Sequence, residues 1–283
     1  MKVRKLGDKK PRVLIFQGSP RDKETCSNMD SKTHGVVEHM VEKWSPFVNF
    51  KIIDLAVNQS KRPTIQPCKG CVSTAGGYHC HFQCSCYYKG DKEKPDLLKE
   101  LDVYNLLQEC DAFIIVSPIH WHSLSSQIKL LFDRLVCTNL TLTIEDAKKL
   151  MGDGNIKNSE ITGKFSRSGR HDGMLRNHLE GKVAAFYTHG DDGADDYEGK
   201  ELPESYNDVM HDPFSIDPKS VLTPFILQLK YSGIFVPDNL VEAFYTNKGM
   251  NYYDANKTFN KNKEFFDRAD NLLENLLDYL DNI

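Results

Sequence analysis

The stretch that decides the fold is RVLIFQGSPR, residues 12–21 of the 283-residue chain. Its unbroken apolar run, residues 13–16, is typical of a strand buried on both faces of a parallel sheet. The run stops at Gly18-Ser19-Pro20-Arg21, and a helical pattern follows from Ser31 to Trp44. A loop between such a strand and helix presents backbone N–H groups at the positive end of the helix dipole. Because serine adds a hydroxyl and arginine a forked cation, we predict a site for a phosphate monoester. A tight turn with a surface arginine is the alternative.

Composition and charge exclude several classes of protein. The chain is 40% hydrophobic and 27% charged, which is ordinary for a globular protein with a core. Its net charge of −4 and pI of about 6.2 argue against non-specific nucleic-acid binding. No stretch is long enough for a membrane span, and the basic tail at 1–11 lacks the apolar segment of a signal peptide. We expect a cytoplasmic protein with no nucleic-acid or membrane partner, whose eight cysteines are thiols or metal ligands.

Strand and helix patterns alternate along the rest of the chain. Apolar runs predict strands at 48–55, 112–116, 182–187 and within 234–245, and amphipathic patterns predict helices at 96–110, 123–135, 218–231 and 259–280. We expect Ser123 to cap the second of these helices. Five strands alternating with helices indicate a doubly wound α/β fold, with a five-stranded parallel sheet of order 2-1-3-4-5 in three α/β/α layers. We predict a single domain, 1–283, with a cysteine-rich loop at 66–90 and a polar insertion at 138–181.

Three predicted loops follow strands whose carboxyl ends share one edge of this sheet. They are Gly18–Arg21 after the first strand, Ser117–His122 after the third and Thr188–Gly190 after the fourth. Ligands of open α/β sheets bind at that edge. Trp121, if exposed there, would cover a planar ring; a tryptophan in the core under the helix is the alternative. Asp191 to Asp196 lacks the spacing of a calcium loop, so we interpret it as a solvated turn.

These motifs resemble a known family. Gly18-Ser19-Pro20-Arg21, Pro118-Ile119-His120-Trp121, the helix ending Phe132-Asp133-Arg134-Leu135, and Thr188-His189-Gly190 occur in this order in the NADPH-dependent FMN reductase family of the flavodoxin-like superfamily. The resemblance covers roughly residues 12–245, without the insertion. It implies a flavodoxin-like fold and an enzyme that binds FMN non-covalently and uses NAD(P)H as co-substrate.

The resemblance also implies roles for particular residues. Ser19 and Arg21, with Ser27 and Asn28, would bind the FMN phosphate. Pro118, Ile119, His120 and Trp121 would lie along the isoalloxazine ring. Thr188, His189 and Gly190 would approach its pyrimidine end. A hydride from NAD(P)H would pass through FMN to a quinone, flavin, azo or nitro compound. No side chain need act as acid or base; His120, His122 and His189 are the candidates if one does. Members of such families associate, and we expect a homodimer or homotetramer.

A cysteine-rich loop interrupts the regular pattern. It contains Cys68, Cys71, Cys80, Cys84 and Cys86. The segment is similar to the cluster-binding run of iron–sulfur flavoproteins, although its spacing is less compact. Three interpretations remain open: an iron–sulfur or zinc site, a redox thiol pair formed by Cys68 and Cys71, or buried thiols in a structural loop. We expect Cys26, Cys110 and Cys137 to be core residues. An electron-transfer flavoprotein serving a protein partner is therefore the alternative function, and a binding module without cofactor is a third.

Overall fold

A five-stranded parallel sheet organises the computed structural model, which describes residues 9–21, 30–56, 64–71, 80–87, 95–151, 175–191, 217–246 and 252–283. The described strands are β1 Arg12–Gln17, β2 Asn49–Asp54, β3 His81–Phe82, β4 Ala112–His120, β5 Ser123–Leu124, β6 Leu142–Thr143, β7 Val183–Asp191 and β8 Val241–Thr246. The main sheet has the order β2-β1-β4-β7-β8, and each neighbouring pair is parallel. The predicted order 2-1-3-4-5 is confirmed.

Helices cover both faces of the sheet. The described helices are α1 Lys32–Trp44, α2 Leu97–Glu100, α3 Val103–Glu109, α4 Ser126–Leu135, α5 Ile144–Met151, α6 Thr223–Tyr231, α7 Tyr252–Lys257 and α8 Lys263–Asp281. Apolar residues of α1 and α8 form one core with one face of the sheet, and those of α3, α4 and α6 form a second core with the other face. The three-layer α/β/α architecture is therefore confirmed.

The apolar run in β1 is unbroken because both of its faces are covered. Leu14 and Phe16 belong to one core, whereas Val13 and Ile15 belong to the other. Successive side chains of a strand point to opposite faces, so a central strand between two helical layers needs apolar residues at every position.

Two strands continue beyond their predicted ends. β4 runs to His120 and β7 to Asp191, since Ser117 pairs with Thr188 and Pro118 with His189, and Gly190 pairs with Tyr245 of β8. The prediction that Thr188–Gly190 forms a loop was wrong. Backbone pairing with two neighbouring strands keeps these polar residues extended, although their side chains do not resemble a strand pattern.

Helix boundaries also differ from those predicted. The helix predicted at 96–110 is divided into α2 and α3 at Asp102, whose φ is 53°. Ser125, not Ser123, caps α4, because the Ile128 N–H donates to the Ser125 Oγ while Ser123 pairs with His120. Short 3₁₀ turns occupy 218–222 and 259–261, so the last two predicted helices begin later than expected.

Both ends of the predicted insertion are built into the fold. Thr141 forms an antiparallel bridge with Arg176, and β6 pairs with β3 of the cysteine-rich loop. The middle of the insertion, 152–174, lies outside the described residues. None of the described helices is long and apolar enough to cross a membrane.

Candidate functional site

The carboxyl ends of β1 and β4 are joined to the start of α4. The Gly18 N–H donates to the Val116 carbonyl at 2.7 Å, and the Ser125 Oγ donates to the Gly18 carbonyl at 2.5 Å. A Cβ on Gly18 would lie 2.5 Å from Cγ1 of Ile128, so a larger residue would displace the helix or the loop. Glycine therefore sets the close approach of the predicted phosphate loop to α4.

Hydrogen bonds between backbone N–H groups and nearby side chains hold the start of the β1–α1 loop. Ser19 is buried, its N–H donates to the Gln17 Oε1 at 2.5 Å, and its Oγ accepts from the Arg21 N–H at 3.2 Å. The loop ends at Ser31, which caps α1 by accepting from the Thr33 N–H at 3.1 Å. Ser19 and Arg21 thus stand beside the chain leading into a helix N-terminus. The other predicted phosphate ligands, Ser27 and Asn28, lie outside the described residues.

Two cations converge on one carboxylate beside this loop. The Lys32 Nζ lies 2.5 Å from the Asp191 Oδ1 at the end of β7. Burial lowers the pKa of Lys32, and Asp191 opposes that shift. Burial also lowers the pKa of Arg21, again opposed by the negative charge of Asp191. Partly desolvated cations attract an anion more strongly than cations at an open surface, because water weakens the attraction less. Sequence reasoning missed Lys32 and Asp191, because Asp191 was interpreted as part of a solvated turn.

His189 lies inside the protein. It is buried, its Nε2 shares a 3.0 Å hydrogen bond with the Thr33 Oγ1, and its ring meets that of Phe265 edge-on at 5.1 Å. Burial lowers its pKa to about 4; Asp191 opposes the shift, and Lys32 adds to it. The imidazole is therefore neutral near pH 7 and joins β7 to the start of α1.

This pKa predicts a specific acid sensitivity. In the unfolded chain a histidine titrates near ~6.5, so between that pH and about 4 the unfolded state binds a proton that the folded state does not. The contribution of neutral His189 to stability is complete above the unfolded pKa and is lost as the pH falls toward about 4. From about pH 7.5 to about pH 5.5 the wild type should lose roughly 1 kcal/mol more than His189→Gln. Urea unfolding at both pH values measures this; equal losses would contradict the assignment.

Thr188 and Gly190, the other residues of the predicted Thr188–Gly190 motif, make different contacts. The Thr188 Oγ1 donates to the Glu242 carbonyl at 3.3 Å, so its hydroxyl is used inside the sheet. A Cβ on Gly190 would lie 2.6 Å from the Tyr245 ring and 3.5 Å from the Cβ of Ile119. Gly190 of β7 and Ile119 of β4 therefore lie side by side at the sheet edge.

The end of β4, which contains Pro118–His120, forms a hairpin with β5. Pro118 and Ile119 are half-buried, and His120 pairs with Ser123 across the turn. Trp121 is 97% exposed, so the interpretation as a core residue was wrong. Both turn residues, Trp121 and His122, have left-handed backbones, with φ of 48° and 58°. The pKa of His120 is lowered by partial desolvation of its imidazole and by the charge of Arg21, which places the hairpin next to the β1–α1 loop.

The cysteine-rich loop lies against the far end of α4. The Sγ atoms of Cys71 and Cys86 are 3.4 Å apart. Hydrogen bonds from the thiols of Cys80 and Cys86 lower the pKa of Cys84. Within the described segments, no three His, Cys, Asp or Glu side chains are arranged to hold a metal ion. Cys110 and Cys137 are buried, as predicted, and Cys26 lies outside the described residues.

A groove of about 450 Å³ adjoins this loop. Its walls are Phe82, Gln83, Ser85, Lys99, Gln108, Thr143, Ile144 and Glu145. None of the predicted flavin-binding residues contributes to it. It is therefore separate from the site at the sheet edge.

The sheet edge can now be compared with known proteins. Residues 11–153, just over half of the chain, match the model of the family described as NADPH-dependent FMN reductase. The chain belongs to the NADPH-dependent FMN reductase family. Like that family, it is an NAD(P)H-dependent oxidoreductase with FMN as its cofactor. A comparison with curated protein sequences gave no match.

Several solved structures resemble this FMN reductase family member at low identity. General stress protein 14 of Treponema denticola, in complex with FMN, is 16% identical, with 95% of this chain and 99% of that chain covered and a TM-score of 0.44. The NAD(P)H:quinone oxidoreductase of Methanothermobacter marburgensis is 16% identical, with 94% and 98% covered and a TM-score of 0.41. An azoreductase of Bacillus anthracis is 12% identical, with 96% and 100% covered and a TM-score of 0.42.

The residues at the sheet edge fit FMN. Arg21 and Lys32 supply positive charge beside the N-terminus of the 13-residue helix α1, which suits a phosphate group. The half-buried Pro118 and Ile119 offer apolar contacts at the same sheet edge, which suit a flat ring.

Proposed function

We propose that this protein transfers a hydride from NAD(P)H through FMN to a small-molecule acceptor, a quinone, a flavin, an azo compound or a nitro compound. The observation that carries the proposal is the arrangement of an anion site and an exposed aromatic hairpin at one edge of the sheet. Arg21 and Lys32, which both interact with Asp191, form the proposed anion site. Trp121 is the exposed residue at the tip of the hairpin. FMN, when bound, supplies the hydride chemistry.

The β1–α1 loop would hold the phosphate. Arg21 and Lys32 are both partly desolvated, so their attraction to a second anion is less weakened by water than at an open surface. Ser19, buried beside Arg21, offers a hydroxyl at the same place. Asp191 would keep Lys32 aligned in the absence of phosphate, since their contact measures 2.5 Å.

The hairpin would orient the substrates. Trp121 sits at its tip, on a chain whose previous residues, Pro118 and Ile119, line the predicted ring surface. Because its side chain is 97% exposed, it offers a flat apolar face to nicotinamide or to an aromatic acceptor. Stacking between aromatic rings contributes about 0.5–1.5 kcal/mol beyond the area buried. An open platform of this kind suits acceptors of varied shape, so we propose several classes.

The test is anaerobic rapid mixing of the purified flavoprotein with NADPH and with NADH, followed by each acceptor. Bleaching of the bound flavin by a nicotinamide nucleotide, and its return with a quinone, flavin, azo or nitro compound, is the expected result. A flavin that nicotinamide cannot reduce, but a protein partner can, would contradict the proposal and favour the electron carrier.

Removing the Trp121 indole should lower turnover but raise the free energy of unfolding. In Trp121→Gly we expect kcat/KM for an aromatic quinone to fall about tenfold, the equivalent of about 1.4 kcal/mol of lost stacking. Stability should rise by about 0.5–1 kcal/mol, because a left-handed backbone costs a non-glycine residue about 1–2 kcal/mol and glycine's larger entropy loss offsets part of that gain. Steady-state kinetics and urea unfolding measure the two effects.

Two control variants distinguish the effect on turnover from the effect on stability. Trp121→Phe keeps an aromatic face and should retain most of the turnover. Leu140→Gly relieves another left-handed backbone, with φ of 42°, in the insertion; it should gain stability without losing turnover. Unchanged kinetics in Trp121→Gly would remove the indole from the substrate site.

A further inference from the structure

Two partly buried thiols of the cysteine-rich loop lie in contact. The Sγ atoms of Cys71 and Cys86 are 3.4 Å apart, although the residues are 15 positions apart in the chain. Both are free thiols of intermediate exposure. A disulfide bond is about 2.05 Å long, so joining them requires the sulfur atoms to approach by about 1.4 Å. That distance is within the reach of side-chain rotation at a loop surface.

The chain on either side of this pair is held in place. The Tyr87 hydroxyl, next to Cys86, donates to the Pro67 carbonyl at 2.9 Å, and the Lys69 Nζ lies 4.6 Å from the Tyr87 ring. Two residues that precede Cys71 in the chain are thus fastened to the residue that follows Cys86. These contacts hold the chain segment before Cys71 close to the segment after Cys86.

We propose that Cys71 and Cys86 form a redox-active dithiol that reacts with small disulfide compounds. The inference goes beyond the proposed flavin chemistry and is independent of it, since no predicted FMN ligand takes part. The pair differs from Cys68 and Cys71, the redox pair that was one of three interpretations of the sequence; the Cys68 Sγ instead accepts from the Gly70 N–H at 3.4 Å.

The remaining described cysteines are placed less well for this reaction. Cys80, Cys84, Cys110 and Cys137 are buried, which protects them from an external disulfide. The Cys86 thiol donates a hydrogen bond to the Cys84 sulfur, and this bond together with burial raises the pKa of Cys86. Cys71 is therefore the better placed of the two to attack an external disulfide first, and Cys86, whose Sγ lies 3.4 Å away, closes the link.

The reaction consists of two thiol–disulfide exchanges. The thiolate of one cysteine attacks a sulfur atom of R–S–S–R, forms a mixed disulfide and releases one R–S⁻. The second thiolate attacks the cysteine sulfur of that mixed disulfide, forms the Cys71–Cys86 bond and releases the second R–S⁻. Two protons pass from the cysteines to the leaving thiolates. In sum, the cysteine pair loses two electrons and R–S–S–R becomes two R–SH.

The test uses the full-length flavoprotein and oxidised glutathione. After incubation, free thiols are alkylated and the protein is digested without reductant for peptide mass mapping. We expect a Cys71–Cys86 linked peptide, the loss of two reactive thiols per chain, and recovery of both with dithiothreitol. A stable glutathione adduct without this link, or a link between Cys68 and Cys71, would overturn the proposal. So would stoichiometric zinc that blocks the oxidation.

Three variants sharpen the result. Cys71→Ser and Cys86→Ser should each stop at a glutathione adduct on the remaining thiol, whereas Cys68→Ser should form the link as the wild type does. Circular dichroism and the flavin spectrum show whether each variant is folded. The Cys71–Cys86 link is sought in the wild-type protein itself, so the proposal can still be disproved if a variant fails to fold.

Discussion

Replacing Arg134 with methionine should lower the free energy of unfolding by about 3–5 kcal/mol. Arg134 binds Asp96 in a bidentate pair, with distances of 3.0 Å from Nη1 to Oδ1 and 2.8 Å from Nη2 to Oδ2. The side chains are 0% and 1% exposed. Burial lowers the pKa of Arg134, but the hydrogen bond to Asp96 and the charges of the surrounding acidic groups together outweigh burial and raise it. Removing the arginine would leave a buried carboxylate without its cation.

The loss should extend to the cysteine-rich loop. Arg134 Nη1 also donates to the Gln66 carbonyl at 2.9 Å, and Asp96 accepts from the Gln66 N–H at 3.1 Å. Thermal unfolding should show a decrease in Tm of roughly 10 °C, at about 2–4 °C per kcal/mol for a protein of this size. Release of the loop should also slow formation of the Cys71–Cys86 link.

Two comparisons isolate the buried pair. Lys129→Ala removes the partner of Asp133 on the exposed side of α4, and should change stability by no more than about 0.5 kcal/mol. Arg134→Met combined with Asp96→Leu should recover part of the loss, since no buried charge remains. A single Arg134→Met variant as stable as the wild type would show that the pair contributes little.

The sheet could be predicted from the sequence because its central strands contain runs that are apolar at every position, at 13–16, 112–116 and 183–187. In β1, residues 13–16 serve two cores, and that pattern is local. The ends of β4 and β7 could not be predicted, because Pro118 and His189 are extended only by pairing with each other's strand. Their side chains give no strand signal.

The candidate site was predicted only in part, for a similar reason. The positions of Ser19 and Arg21 follow from a motif within one loop. The contact between Lys32 and Asp191 joins residues 159 positions apart, and no local pattern indicates it. The burial of His189 likewise depends on Phe265 of α8. Tertiary contacts determine which side chains of the three motifs are buried, as His189 is, and which are exposed, as Trp121 is.

Replacing Arg21 with alanine should weaken FMN binding by about 1.5–3 kcal/mol, or about 10- to 150-fold. Its guanidinium lies close enough to Asp191 for their charges to interact, beside the Lys32 ammonium. A phosphate group would receive charge-assisted hydrogen bonds from this pair of cations, and one cation would remain in the variant. Fluorescence titration of the apoprotein with FMN measures the change.

Riboflavin, which lacks the phosphate, provides the decisive comparison. Arg21→Ala should change riboflavin affinity by less than about twofold, equivalent to about 0.4 kcal/mol, because the apolar contacts proposed at Pro118 and Ile119 are intact. Arg12→Ala is the matched control. That arginine begins β1 at the opposite end of the strand, is exposed, and pairs with Asp111 at 3.9 Å. Equal losses for FMN and riboflavin in Arg21→Ala, or a similar FMN loss in Arg12→Ala, would show that Arg21 does not bind the phosphate.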